Sequence, residues 1–202
     1  MDNRWDDPLI AQQIDAYWRN SPDEITHRQC LAALVHEQME FDSDTLLEVG
    51  CGTGQVFEAI RAELDGRTPE YYGVDANKAM LNIALSRHSG FTGHQWFARG
   101  EAEHLRFKDA EFDHVFAFEV FGHMADCTKA LPELIRVARK TAIFTLWIKE
   151  DLTAPLEGED HYEYPADWLA HAIAQGVAGA NFSLEKRQMP WTMAYIVRKV
   201  QP

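Results

Sequence analysis

Residues 46–55 read LLEVGCGTGQ: a short apolar run, an acid inside it, and then three glycines at alternate positions. The apolar run has the length of a buried strand, and the QVFEAIRAEL that follows at residues 55–64 has helical periodicity and ends near Gly66. Strand, tight turn and helix are therefore predicted in succession. Glycines spaced this way let the backbone of the turn approach a ligand closely. A turn of this kind lies at the carboxyl end of its strand, beside a helix N-terminus whose free N–H groups favour negative groups.

The same alternation continues on the C-terminal side. EYYGVD (70–75) reads as a strand, NKAMLNIALSRH (77–88) as a helix, and HQWFARG (94–100) and EFDHVFAFEV (111–120) as strands. ADCTKALPELIRVAR (125–139) reads as a helix interrupted at Pro132, before the strand TAIFTLWI (141–148). Strands apolar along their whole length, separated by helices, predict a parallel sheet covered on both faces. After a helix at PADWLAHAIAQG (165–176), the strand-like runs ANFSLEKRQM and WTMAYIVRKV are separated by little more than Pro190. Only an antiparallel hairpin fits so short a connection. The expected fold is α/β: a Rossmann-like, doubly wound, mostly parallel seven-stranded sheet with a C-terminal antiparallel hairpin and helices on both faces.

Two amphipathic helices are predicted before the first strand, at residues 7–20 and 21–39. The second is well marked, with Ser21 as N-cap, Pro22 at the first helical position and Glu24 three residues after the cap. Residues 1–43 are read as a helical cap or lid and residues 44–202 as the ligand-binding domain, the whole forming one compact unit of 202 residues.

A net charge of −13 argues against general affinity for nucleic-acid backbones. No apolar run approaches the ~20 residues that span a bilayer, and the N-terminus lacks the order of a secretory signal, so a cytoplasmic protein without membrane attachment is expected. Cys30, Cys51 and Cys127 are far apart, and the nine histidines are scattered. They suggest reduced thiols and no metal site.

The ligand follows from the turn. A dinucleotide fingerprint would need glycine at positions 50, 52 and 55, but position 55 is Gln, and no Gly-Lys-Ser/Thr follows to make a P-loop. Glu48, at the end of the strand, would repel a pyrophosphate and suits an ammonium or sulfonium. Asp75, ending the next strand, stands where a carboxylate accepts hydrogen bonds from ribose hydroxyls. A nucleoside without phosphates and with a cationic amino-acid tail answers both, which describes S-adenosylmethionine.

EVGCGTG, GVDANKAML and RGEAEHLRFKDAEFDHVFAFEVFGHM together resemble the successive motifs of class I S-adenosylmethionine-dependent methyltransferases, in their small-molecule, type 11-like branch. The resemblance runs from about Leu46 to Ile148. It implies that Glu48, Gly50, Gly52 and Gly54 surround the methionine moiety, with Cys51 a small filler within the same loop. It also implies that Asp75 binds the ribose, that Ala76 and Met80 flank the adenine, and that Glu101 with Ala102 addresses its edge. Glu101 replaces the commoner Asp of that motif, and Gly122 stands where the branch often carries Glu.

Glu119 and His123 match the segment after the fourth strand. Glu119 is read as facing the cofactor pocket, and both are candidates for proton chemistry, with a purely structural bridge as the competing reading of His123. Tyr17 and Trp18 are core residues or a lid over the methyl group. Trp147, Tyr162, Tyr164 and Trp168, near the acids Glu157, Glu159 and Asp160 and His161, form either a substrate wall or the packing of a terminal helix. The implied activity is methyl transfer to an O, N or C nucleophile of a small molecule, by a monomer or homodimer. The alternative is a non-catalytic sensor or partner subunit that binds the same cofactor. The nucleic-acid branch would carry an Asn/Asp-Pro-Pro-aromatic motif where this chain has FAFEVF.

Overall fold

Along each central strand the side chains alternate between two apolar layers, the period-2 pattern that a sheet buried on both faces requires. In the computed structural model, Leu46, Tyr71, Phe116, Ile143 and Ile196 join one cluster, shared with Leu31, Leu34 and Val35 of an N-terminal helix and Phe57 and Ile60 of the next. Leu47, Val74, Val115, Phe144 and Val197 join the other, which includes Leu131, Leu134, Leu169 and Ile173. The structure describes residues 6–41, 43–67, 69–89, 95–149, 152, 154–157, 161–177, 179 and 181–200.

The helices and strands follow in the order α1 (Pro8–Asn20), α2 (Pro22–His36), β1 (Thr45–Val49), α3 (Gln55–Glu63), β2 (Glu70–Asp75), α4 (Lys78–His88), β3 (Gln95–Arg99), β4 (Phe112–Ala117), α5 (Ala130–Val137), β5 (Ala138–Lys149), β6 (Leu156–Glu157), β7 (Tyr162–Pro165), α6 (Ala166–Val177), β8 (Phe182–Gln188) and β9 (Met193–Lys199). Strands β3, β2, β1, β4 and β5 lie side by side and parallel. β9 then runs antiparallel to β5, and β8 antiparallel to β9. The strand order reverses between β1 and β4, which opens a crevice above their carboxyl ends.

Two differences from the sequence reading have physical causes. Among the described residues the sheet has nine strands where seven are expected, because β6 and β7 add a short pair along the end of β5, with Trp147 to Lys149 opposite Glu163 to Pro165. The alternation Tyr162-Glu163-Tyr164 is a strand pattern, and it buries Tyr164 completely. Pro132 does not interrupt a helix: α5 starts only at Ala130, so the proline lies in its first turn, where a missing N–H leaves no bond unmade.

The N-terminal helices are tied in differently. α2 is part of the core. It is capped as expected, Ser21 Oγ accepting from the Glu24 N–H at 3.4 Å, but Glu24 pairs with Arg28. α1 packs on α4 through Ala11, Ala79 and Met80, with Ile14 and Trp18 at the edge of that contact.

Candidate functional site

The glycine turn lies between β1 and α3, and all three of its glycines have positive φ: 77° at Gly50, 52° at Gly52 and 80° at Gly54. Their surroundings separate their roles. A Cβ on Gly50 would come 2.2 Å from Val120 Cγ2, and one on Gly54 2.5 Å from His88 Nε2, so both are glycine because the protein itself closes on them. A Cβ on Gly52 would meet nothing within 4 Å. Gly52 faces open space. Cys51 is a buried filler: a Cβ on Gly73 of β2 would come within 3.0 Å of its Cβ and Sγ. Burial holds its thiol well above the usual range, and the Asp75 and Glu48 charges add to this.

Asp75 fastens the turn to the next strand. Its Oδ2 accepts the Gly52 N–H at 2.7 Å and its Oδ1 the Asn77 N–H at 2.7 Å, while the Gly50 and Cys51 N–H groups reach Val74 O at 2.7 and 3.0 Å. Burial raises the Asp75 pKa; those two N–H donors oppose the rise and the Glu101 charge adds to it. Ala76 is half-buried beside it. Glu101 is exposed and forms a single antiparallel bridge with His104, and Ala102 packs against the core. Met80 is buried against Ala11 of α1.

Glu48 behaves differently from an acid offered to a cationic ligand. Strand alternation turns it to the same face as Leu46, where it is 2% exposed and accepts the hydroxyl of Tyr71. Burial pushes its pKa up to about 8; the Tyr71 hydrogen bond opposes this and Asp75 reinforces it. Near neutral pH its carboxyl is therefore largely protonated.

On the far side of the crevice, Glu119 follows β4 with φ 57°, a conformation costly for a residue with a Cβ. The Thr145 hydroxyl accepts its backbone N–H at 2.7 Å and holds the bend. The histidine that faces the Glu119 carboxylate is His27 of α2, with Nε2 3.5 Å from Oε1. His123 is exposed, at the end of the 3₁₀ turn Phe121–His123.

The aromatic residues divide as well. Trp147 stacks on His161 at 3.9 Å, against Gly122, where a Cβ would come 2.5 Å from the indole. Gly122 is thus required by Trp147. Tyr164 is a correction: it has no exposed surface, and its hydroxyl donates to the Met124 carbonyl, with Phe121 O at 3.3 Å, so it packs the fold and lines no wall. Trp168 packs on it at 4.8 Å. Tyr162 is half-buried at the edge of the same core. Tyr17 is 63% exposed, so it is not core, whereas Trp18 packs toward α4 with the Arg28 guanidinium 4.9 Å from its ring. Glu157 is exposed, and Glu159 and Asp160 lie outside the described residues.

Sequence reasoning missed the group that ties the N-terminal helix to the turn. Asp15 of α1, 6% exposed, accepts Thr53 Oγ1 at 2.6 Å, Gln55 Nε2 at 3.0 Å and two bonds from Arg87 at 2.6 and 3.0 Å. Burial alone would raise its pKa, but the bonds from Arg87, Thr53 and Gln55 outweigh that and hold it well below the usual carboxylate range. Arg19 completes the cluster by pairing with Glu58 of α3 at 2.8 Å. The only available sign was an acid on the face of α1 that also carries Ala11, four residues before it.

Among the described residues no group of three or more His, Cys, Asp or Glu side chains is placed to hold a metal ion, and no helix is long and apolar enough to cross a membrane.

Comparison with known proteins adds to this geometry. The family described as methyltransferase domain matches residues 47–146. The O-methyltransferase rstn1 of Aspergillus nomiae is 30% identical over 137 residues, covering 67% of this chain and 56% of that protein. The demethylmenaquinone methyltransferase of Lactiplantibacillus plantarum is 33% identical over 136 residues, 66% of this chain and 52% of its own. The chain thus spans about half the length of the curated relatives it matches. Among solved structures, the magnesium protoporphyrin IX methyltransferase of Synechocystis with bound SAM superposes with a TM-score of 0.66 at 12% identity, over 88% of this chain and 80% of that one, a likeness of fold.

Proposed function

Because residues 47–146 place this chain in the methyltransferase-domain family, we propose that it is an S-adenosylmethionine-dependent methyltransferase acting on a small molecule. The observation that carries the reading is Gly52: a left-handed residue with open space before it, its N–H bonded to Asp75 at the end of the neighbouring strand. A backbone drawn in so closely, beside a carboxylate with further lone pairs, fits a ribose and the chain attached to it.

S-adenosylmethionine, when bound, supplies a methyl group already activated on a sulfonium. Gly50, Gly52 and Gly54 would hold its amino-acid portion, Asp75 its ribose hydroxyls, and Ala76 with Glu101 and Ala102 its base. The free N–H groups at the α3 N-terminus would receive its methionine carboxylate, and its cationic tail would be held without an ionised Glu48. Instead Glu48 and Tyr71 stiffen the β1–β2 floor beneath the turn. Of the expected cap at residues 1–43, α1 serves as the lid, latched over the turn through Asp15, whereas α2 belongs to the core. The protein's main work is then to align an acceptor and exclude water, and alignment alone is worth roughly 7–11 kcal/mol of a barrier.

Thermal unfolding tests the reading, with S-adenosylmethionine, S-adenosylhomocysteine and NADH as ligands. At ~100 times its Kd a ligand adds about 2.7 kcal/mol, a rise of several degrees for a chain of this size. A rise with the first two and none with NADH is expected, and no rise with either sinks the proposal. Methyl transfer to any acceptor, followed by mass spectrometry, separates an enzyme from a binding module.

A further inference from the structure

Beside the crevice, three side chains from distant parts of the sequence hold buried polar atoms without hydrogen-bond partners. Both ring nitrogens of His27, Oε1 of Glu119 and Oγ1 of Thr192 are in this position. His27 lies on α2 and is 2% exposed, Glu119 follows β4, and Thr192 is in the β8–β9 turn. They converge because His27 faces Glu119 at 3.5 Å and stacks on Trp191, next to Thr192, with ring centroids 4.7 Å apart and planes at 24°. Folded proteins pair nearly all such groups, so several unpaired at one place point to a partner from outside the chain.

The surroundings show which side of the crevice this is. Val120, next to Glu119, packs on Gly50 of the glycine turn, so Glu119 follows β4 on the side of the crevice that borders that turn. The left-handed φ of Glu119 is strain without a local benefit to the fold, the pattern found where a side chain is aimed for a purpose. Trp191, 47% exposed, presents a flat indole at the rim of the same cluster.

We infer that His27, Glu119 and Trp191 form the acceptor-recognition site, and that the acceptor carries a hydroxyl group on a planar ring. The inference rests on the methyltransferase reading above. A hydroxyl both donates and accepts: it can give its hydrogen to Glu119 and take one from the Thr192 hydroxyl, whereas an ammonium only donates and would leave that donor unmatched. The ring has a flat partner in Trp191. Glu119 touches the acceptor. His27 is a positioning residue, holding the carboxylate from behind: the Glu119 side chain is 35% exposed, while its Oε1 is buried toward His27.

The test uses the full chain saturated with S-adenosylhomocysteine and titrated by calorimetry with 2-naphthol, its methyl ether 2-methoxynaphthalene, and 2-naphthylmethylamine. The wild type should bind 2-naphthol about tenfold or more tighter than the ether, since a site built to pair a hydroxyl rejects an analogue lacking its hydrogen. Glu119→Ala and His27→Ala should reduce that preference to about twofold or less, and His27→Gln, which still offers an N–H to the carboxylate, should restore most of it. The ¹⁵N resonances of the His27 ring should shift on adding 2-naphthol in the wild type and stay in place in Glu119→Ala. Equal binding of naphthol and ether, tighter binding of the amine, binding of none of the three, or a preference that survives both alanine variants overturns the inference while S-adenosylhomocysteine binding keeps the methyltransferase reading standing. Failure of the wild type to bind S-adenosylhomocysteine removes both.

Discussion

The carboxylate of Asp15 and the hydroxyl of Thr53 meet at 2.6 Å, joining the N-terminal helix to the middle of the glycine turn. Gln55, the residue that rules out a dinucleotide fingerprint, bonds the same carboxylate at 3.0 Å, and Arg87 of α4 clamps it from the other side. Helix α1 is therefore fastened to the glycine turn. Asp15→Asn removes the charge from a buried cluster and leaves Arg87 facing a neutral amide, which should cost on the order of 3 kcal/mol at pH 7. The sign with pH is set by the lowered pKa: the contribution is present above the ordinary carboxylate value and lost as pH falls through the folded one. Urea unfolding should show the gap between variant and wild type narrowing below about pH 4, and hydrogen exchange at residues 8–20 should quicken in the variant at neutral pH.

Two glycines of the turn should fail in different ways. Gly52→Ala meets open space and costs only its left-handed φ, about 1–2 kcal/mol. It nevertheless places a methyl group in that space, so S-adenosylhomocysteine affinity should drop at least about tenfold, ~1.4 kcal/mol. Gly50→Ala adds a collision with Val120 at 2.2 Å, so its loss of stability should exceed that of Gly52→Ala by roughly 1–3 kcal/mol. Paired denaturation and calorimetry on the two variants check this; equal losses of stability would show the space before Gly52 to be closed.

Glu48 gives stability the opposite pH dependence from Asp15. Its pKa is raised from 4.5 to about 8, so its neutral form belongs to the folded state. That contribution is complete below the unfolded value and is lost as pH rises through the folded one. Between pH 5 and 8 the wild type should lose on the order of 3 kcal/mol from this group. Glu48→Gln keeps an acceptor for the Tyr71 hydroxyl and cannot ionise, so its stability should vary less across that window and exceed the wild type's at pH 8. A variant whose pH profile parallels the wild type would show Glu48 to be ionised throughout.

The glycine turn, the alternation of strands and helices around it and the final hairpin were legible because each rests on local pattern: alternate glycines, apolar runs of strand length, and a connection too short for a crossover. Capping at Ser21 was legible for the same reason. What escaped depends on which face a residue turns to across long sequence separations. Glu48 read as a ligand for a cation, yet its parity with Leu46 turns it onto Tyr71. The short strand at Tyr162 was hidden because it is only four residues long and follows directly on the acids Glu157, Glu159 and Asp160. His27 and Trp191 are separated by most of the chain, and nothing in the spacing of either foretells that they stack.

Glu119→Gly offers the sharpest contrast between a structural and a functional role for the residue after β4. Glycine adopts φ 57° without penalty, and the change also removes a buried carboxylate oxygen that has no hydrogen-bond partner. If Glu119 is held in place for its ligand, the variant should be more stable than the wild type by about 1 kcal/mol, or roughly 2–4 °C in Tm. If the contact with His27 mainly holds α2 on the sheet, the variant should be less stable instead. We expect the gain, together with loss of the hydroxyl preference in naphthol binding. Thermal unfolding and that titration, run on one preparation, decide between the two because they must move in opposite directions for the functional role to hold.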